Sequence, residues 1–332
     1  MKLDLEQIKS ITFGALAVRK LDDGYLFERS TQKQIEAWYA VKNDVGARAE
    51  YSSGVTLDFH TNSSMLRISA SRGDIYDVYV DGLLRASLNM NNFREHCAKI
   101  PLTDPLGKPL AEARVTVYLP HGDCPSVISA IELDDGSYVK PHAFDKKFLF
   151  LGDSISQGYS AEMPSLSYVH SVSRFFNAEC LNQCVGGGIL KADTLDDISF
   201  EPDTVFIAFG TNDYNHFSSY DDMRNSAHKY FDEVQKRYQA VASHIFVISP
   251  IWRDDLDFDR PMGTFEQARE IIIREANEHG MIHIDGLLLV PPIHSLFDDG
   301  YLHPNATGFT IYTRELIKQM LNHMHPRSKY EA

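Results

Sequence analysis

No stretch of this chain approaches the roughly 18 consecutive apolar residues of a membrane-spanning helix. Its opening, MKLDLEQIKSITFG, lacks the apolar core of a secretory signal. These two absences lead us to expect a soluble, cytoplasmic protein with no membrane partner. Cysteine is scarce: Cys97, Cys124, Cys180 and Cys184 form no CxxC pair, which excludes a disulfide framework and the usual zinc spacings. They read as reduced, structural thiols. Basic charge is in deficit, with 32 Lys and Arg against 46 Asp and Glu and a net charge of −14. Such a chain repels phosphate backbones and gains nothing from an anionic bilayer, so nucleic acid is not expected as a partner. A neutral, small-molecule or oligosaccharide substrate suits this balance better. Repeats and low-complexity segments are absent as well. Histidines and carboxylates show no ligand spacing that we recognise, and neither a metal nor a cofactor is expected.

What is present falls into two regions. With 332 residues, the chain fits one large domain or two of moderate size. Over residues 1–145 the pattern is β. VTLDF (55–59), MLRISA (65–70) and RVTVYL (114–119) alternate apolar and polar residues. Asp81-Gly82 between IYDVYV and LLRASL is a hairpin signal. Short strands with frequent turns predict an all-β, jelly-roll-like sandwich. His60, His96, His121 and His142 are scattered here and suggest no catalytic group.

From residue 146 to 332 the pattern changes to α/β. Apolar runs at 148–151, 204–209, 244–249 and 281–285 alternate with helical segments near 165–177, 222–242, 264–279 and 306–323. Thr264 and Gln267 have the spacing of a capping box. Continuous apolar strands between helices predict a parallel sheet covered on both faces, a three-layer domain. Ligands in such sheets bind beyond the carboxyl ends of the strands, so the residues that end each run matter most. The first run ends in Gly152-Asp153-Ser154, the second in Gly210-Thr211-Asn212-Asp213, and the third in Pro250-Ile251-Trp252-Arg253. His303 stands just before the last helix. A serine, an asparagine and a histidine therefore converge on one edge of the predicted sheet. Read alone, Ser154 is a helix cap, Asn212 a turn residue and His303 a loop residue.

Four motifs make more of them. GDSISQGY (152–159), NQCVGGG (182–188), GTND (210–213) and HPNATG (303–308) occur in this order. Each is short; together, each behind the right element, they are specific. From about residue 147 to its end the chain resembles the SGNH hydrolases, also called GDSL esterases. The resemblance implies that Ser154 is the nucleophile and His303 its base. It also implies an oxyanion hole made of the Ser154 and Gly187 backbone N–H groups and the Asn212 amide. The resemblance favours Gly187 over Gly186 and Gly188, because it lies five residues after Asn182, as the family pattern implies. Trp252 and Arg253 are candidates for walls of the substrate site.

One position departs from the family, which usually has an aspartate three residues before the histidine. Here that residue is Gly300, with Asp299 four and Asp298 five residues before His303. Asp299, a backbone carbonyl or Asp298 is left to orient the imidazole, Asp299 being preferred. A β-sandwich before such a domain is similar to carbohydrate esterase family 2, which implies acetyl esters of sugars. A broader esterase, lipase or thioesterase, or a non-catalytic carbohydrate-binding protein, are the alternatives. The sandwich could bind glycans through Trp38, Tyr39, Tyr51, Tyr76 or Tyr79, lend a loop to the active-site rim, or mediate dimerisation. Most of those rings fit a core role better, and the sequence leaves the oligomeric state open.

Overall fold

The computed structural model describes residues 1–90, 97–122 and 124–324; of the residues named above, His96 lies outside them. The first half holds two antiparallel sheets. One orders its strands as Thr12–Phe13, Thr56–Thr61, Ala113–Tyr118, Ile75–Val80 and Leu83–Asn89, with Lys140–Pro141 also on Thr56–Thr61. The other runs Ala17–Leu21, Gly24–Glu28, Val127–Glu132, Met65–Arg72 and Cys97–Pro101. Their facing side chains, among them Leu57, Phe59, Val78 and Val117 from one and Phe27, Ile68 and Ile131 from the other, close a single core. The hairpin forms at Asp81-Gly82, both with positive φ, and pairs Val80 with Leu83. That is the mirror-image turn that matches strand twist.

The sandwich is not purely β. Helices occupy Leu5–Ile11, Gln32–Tyr39 and Asn43–Ala49. The second begins at a Thr31/Gln34 capping box, visible as TQKQ. It and the third turn away from the sandwich core, and Trp38, Val45 and Ala49 join the core of the other half.

That half is a five-stranded parallel sheet in the order Ala178–Asn182, Lys146–Gly152, Thr204–Ala208, His244–Ile248, Ile282–Ile284. Alternation splits its strands between two cores. Phe148, Phe150, Phe206 and Phe246 meet the helices Tyr168–Phe175 and Ala306–Met324 on one face. Leu149, Leu151, Val205, Ile207 and Val247 meet Tyr220–Tyr238 and Phe265–Glu278 on the other. The capping box at Thr264 and Gln267 forms. The strand Ala178–Asn182 was not anticipated, because it is short, carries Glu179 and lies at the sheet edge. Since the strand order reverses between Lys146–Gly152 and Thr204–Ala208, the crevice for a ligand opens beyond their carboxyl ends. Among the described residues no helix is long and apolar enough to cross a membrane. All four cysteines are free thiols; burial pushes Cys180 up to about 12, which fits an inert structural role.

Candidate active site

Gly152 ends the first strand where its neighbours leave no room for a side chain. A Cβ there would stand 2.8 Å from Ser156 Oγ and 2.9 Å from the Ala208 carbonyl. Asp153 then caps the short helix Ser154–Gln157, its carboxylate accepting the Ile155 N–H at 3.0 Å. Ser154 is therefore the first helical residue and not the cap. Its hydroxyl is left for other work, and its backbone N–H belongs to the first turn, which has no intrahelical acceptors.

Ser154 Oγ lies 2.9 Å from His303 Nε2. On the far side of the ring, His303 Nδ1 lies 2.7 Å from Asp299 Oδ2. An ionised carboxylate only accepts, so Nδ1 carries the proton and Nε2 offers its lone pair to the serine hydroxyl. Asp299 Oδ1 accepts the N–H groups of Tyr301 (2.9 Å), Leu302 (2.8 Å) and His303 (3.1 Å). Burial raises the pKa of this carboxyl, but the Leu302 N–H, the His303 imidazole and the other two N–H groups outweigh it, and the value falls to about 2. The departure in spacing is absorbed by Gly300, left-handed at φ 63° with open space where a Cβ would be. Asp298 does not take part: it is exposed, and its backbone N–H goes to the His303 carbonyl at 2.8 Å.

The glycine block separates into three roles. Gly186 N–H is held by Gln157 Oε1 at 2.5 Å, and Gly188 N–H by the Val185 carbonyl at 2.8 Å. Among the described residues no acceptor meets the Gly187 N–H. Gly187 is left-handed at φ 80°, and a Cβ would press on Val45 Cγ2 at 3.1 Å. Asn212 Nδ2 gives one hydrogen to the Gly188 carbonyl at 3.1 Å; a primary amide keeps a second to donate. Asp213 stabilises that loop, accepting the N–H groups of Leu190 (2.8 Å) and Gly210 (2.9 Å). Burial pushes Asp213 up to about 6 and Asp153 to about 7; Asp213 adds to the rise at Asp153, against the Ile155 N–H and Arg253.

These groups share one cavity of about 490 Å³, lined by Ser154, Gln157, Tyr159, Gly186, Gly187, Asn212, Leu302 and His303 and, from the first half of the chain, by Arg48, Tyr51, His121 and Gly122. The sandwich region thus supplies part of the rim. Of the other rings considered for sugar contact, Trp38, Tyr76 and Tyr79 are buried in the cores, and Tyr39 is half exposed and bonded to Glu50. Arg29 joins the two halves. Its buried guanidinium donates to the carbonyls of Tyr51 (2.6 Å), Arg48 (2.8 Å), Asn182 (2.6 Å) and Cys184 (2.8 Å). Burial lowers its pKa to about 10.

Two expected wall residues are elsewhere. Arg253 is fully buried, bonded to Asp255, to Tyr301 Oη and to the Thr211 carbonyl at 2.9 Å. It ties the Asn212 loop to the His303 loop from behind. Trp252 packs on Phe297 and His294 rather than on the cavity. The polar rim residues Arg48 and Gln157 were missed. Gln157 stands inside GDSISQGY, where a polar residue one turn after the serine was the available signal. Arg48 gave none, because only the fold brings its helix to this edge.

Residues 150–311 match the GDSL-like lipase/acylhydrolase family. No curated protein matches the chain. Among solved structures, it is similar to the salicylyl-acyltransferase SsfX3 from a tetracycline biosynthetic pathway, with TM-score 0.79 and 18% identity over 95% of each chain. A putative GDSL-like lipase from Bacteroides ovatus aligns with TM-score 0.71 and 16% identity over 98% of this chain and 97% of that one. A family two carbohydrate esterase from Clostridium thermocellum aligns with TM-score 0.60 and 16% identity over 82% and 92%. At these identities the structural likenesses carry the fold, both halves included.

Proposed function

For a chain whose residues 150–311 match the GDSL-like lipase/acylhydrolase family, and which is an ester-hydrolysing enzyme, we propose a serine esterase that removes small acyl groups, acetyl foremost, from carbohydrates. The catalytic part of this reading is supported by the run of hydrogen bonds from Ser154 Oγ through His303 to Asp299. Ser154 Oγ attacks the acyl carbon while His303 Nε2 takes its proton. The carbonyl oxygen becomes an oxyanion against the N–H groups of Ser154 and Gly187 and the second hydrogen of the Asn212 amide. Collapse breaks the ester bond, and His303 returns the proton to the departing alkoxide. Water, losing a proton to His303, then attacks the acyl-serine and releases the acid and the serine hydroxyl.

One observation favours a short acyl group and a sugar alcohol. Among the described residues lining the cavity, Leu302 alone is aliphatic. Tyr51, Tyr159, His121, Arg48 and Gln157 offer ring faces and hydrogen bonds, which suit a pyranose. A long alkyl chain would find no apolar trough. The carbohydrate esterases among the structural neighbours support the same reading. Rates on acetylated xylo- and manno-oligosaccharides, set against p-nitrophenyl esters of rising chain length, test it. Activity should fall steadily beyond butyrate; a preference for octanoate or longer would overturn the acetyl assignment and leave a general lipase.

A further inference from the structure

The helices Tyr220–Tyr238 and Phe265–Glu278 pack against one face of the parallel sheet. Where they touch, each contributes one histidine and one carboxylate. His228 and Asp232 stand one turn apart on the first; Glu275 and His279 stand one turn apart at the end of the second. The full ligand set exists only across the helix–helix contact, which sequence spacing does not reveal.

The four side chains close a ring. His228 Nδ1 is 2.9 Å from Glu275 Oε2, and His228 Nε2 is 3.6 Å from Asp232 Oδ2. His279 Nε2 is 3.0 Å from Asp232 Oδ1, and His279 Nδ1 is 3.7 Å from Glu275 Oε2 and 2.7 Å from the Glu275 carbonyl. Ligand atoms of His228, Glu275 and His279 all lie within 4.8 Å of one another. Every ring nitrogen of both imidazoles thus faces an oxygen. A neutral imidazole has only one N–H, so each ring left neutral would set a lone pair against a lone pair. Glu275 supplies an independent sign. Its side chain is fully buried, and among the described residues Oε1 meets no hydrogen-bond partner. A buried carboxylate oxygen without a donor or a cation is costly.

We propose that His228, Glu275 and His279, with Asp232 beside them, form a binding site for a first-row divalent cation, zinc foremost. Two imidazoles and a carboxylate are the donor set this ion takes, at about 2.0–2.2 Å from each ligand. Two i, i+4 pairs on facing helices present it from both sides, with Glu275 Oε2 between the two imidazoles. The residues lie outside the cavity at Ser154, so the site braces the two helices and plays no part in acyl chemistry.

The test uses the full-length protein, stripped with a chelator and titrated with ZnSO4 by calorimetry, with cobalt(II) as a spectroscopic probe. Wild type should bind one equivalent, gain thermal stability on zinc addition, and give the intense visible absorption of four-coordinate cobalt. His228→Ala, at a half-exposed position that leaves the core intact, should weaken zinc binding by at least about tenfold. Glu275→Gln keeps the shape of the buried side chain and should do the same. Wild type that takes up no zinc, or either variant binding zinc as tightly as wild type, would overturn the proposal. Esterase rates at the reading above are expected unchanged in His228→Ala, so the two accounts fail separately.

Discussion

Asp299 holds His303 twice over: one carboxylate oxygen lies 2.7 Å from Nδ1, and the other accepts the backbone N–H of the same residue at 3.1 Å. The histidine's ring and main chain are thereby locked to one group, across four residues of chain with a left-handed glycine between. Asp299→Asn should leave KM near wild type and lower kcat by about three to four orders of magnitude, because an amide no longer selects the productive tautomer. Steady-state kinetics on a short-chain ester check this, with Asp298→Ala, which should behave as wild type, as control. Gly300→Ala should cost about 1 kcal/mol of stability through its φ alone, since nothing crowds the new Cβ.

The oxyanion contacts differ in kind. Asn212→Ala removes a donor and should reduce kcat by about 100- to 1,000-fold with little change in stability. Gly187→Ala should lower both, because φ is positive and the methyl would press on Val45 and Arg48. Melting curves beside the kinetics separate the two effects.

Arg29 satisfies four main-chain carbonyls from two halves of the chain. Arg29→Met fills much of the volume but strands those acceptors, each worth about 1–3 kcal/mol when buried. Denaturant unfolding should show a loss above about 3 kcal/mol, and the surviving folded protein should hydrolyse esters slowly, because the Arg48–Tyr51 rim is no longer tied to the glycine block. A loss under about 1 kcal/mol would show that water replaces the guanidinium at no cost.

Asp153 makes stability depend on pH. Its carboxyl titrates near 7 in the folded chain and near about 4 when unfolded. The native state therefore binds the extra proton, and this group's contribution is full below about 4 and is lost as pH rises toward 7. Asp153→Asn keeps an N-cap side chain without the ionisation. Its melting temperature relative to wild type should rise across that window. A constant difference from pH 4 to 8 would show that Asp153 is ionised throughout.

The parts of this fold that were legible in the sequence are the local ones. Continuous apolar runs announced the buried parallel strands, and the residues just beyond two of them, Ser154 and Asn212, do converge with His303 from before the last helix. What escaped was set by distant contacts. Glu179 broke the apolar pattern of the edge strand Ala178–Asn182. The helices Gln32–Tyr39 and Asn43–Ala49 lie inside a β region, yet bury Trp38 and Val45 against the α/β core. Arg253 follows its strand as a site residue would, but Asp255 and Tyr301 draw it inward. The place of Asp299 hung on the conformation of Gly300, which spacing alone does not reveal.

The central claim is that Ser154 attacks the ester. It is tested most directly by kcat/KM of purified, folded Ser154→Ala on p-nitrophenyl acetate. The value should fall by at least about four orders of magnitude, with the melting temperature unchanged. A variant that keeps more than about a tenth of wild-type kcat/KM would contradict the account, since no other side chain in the cavity could then be denied the role.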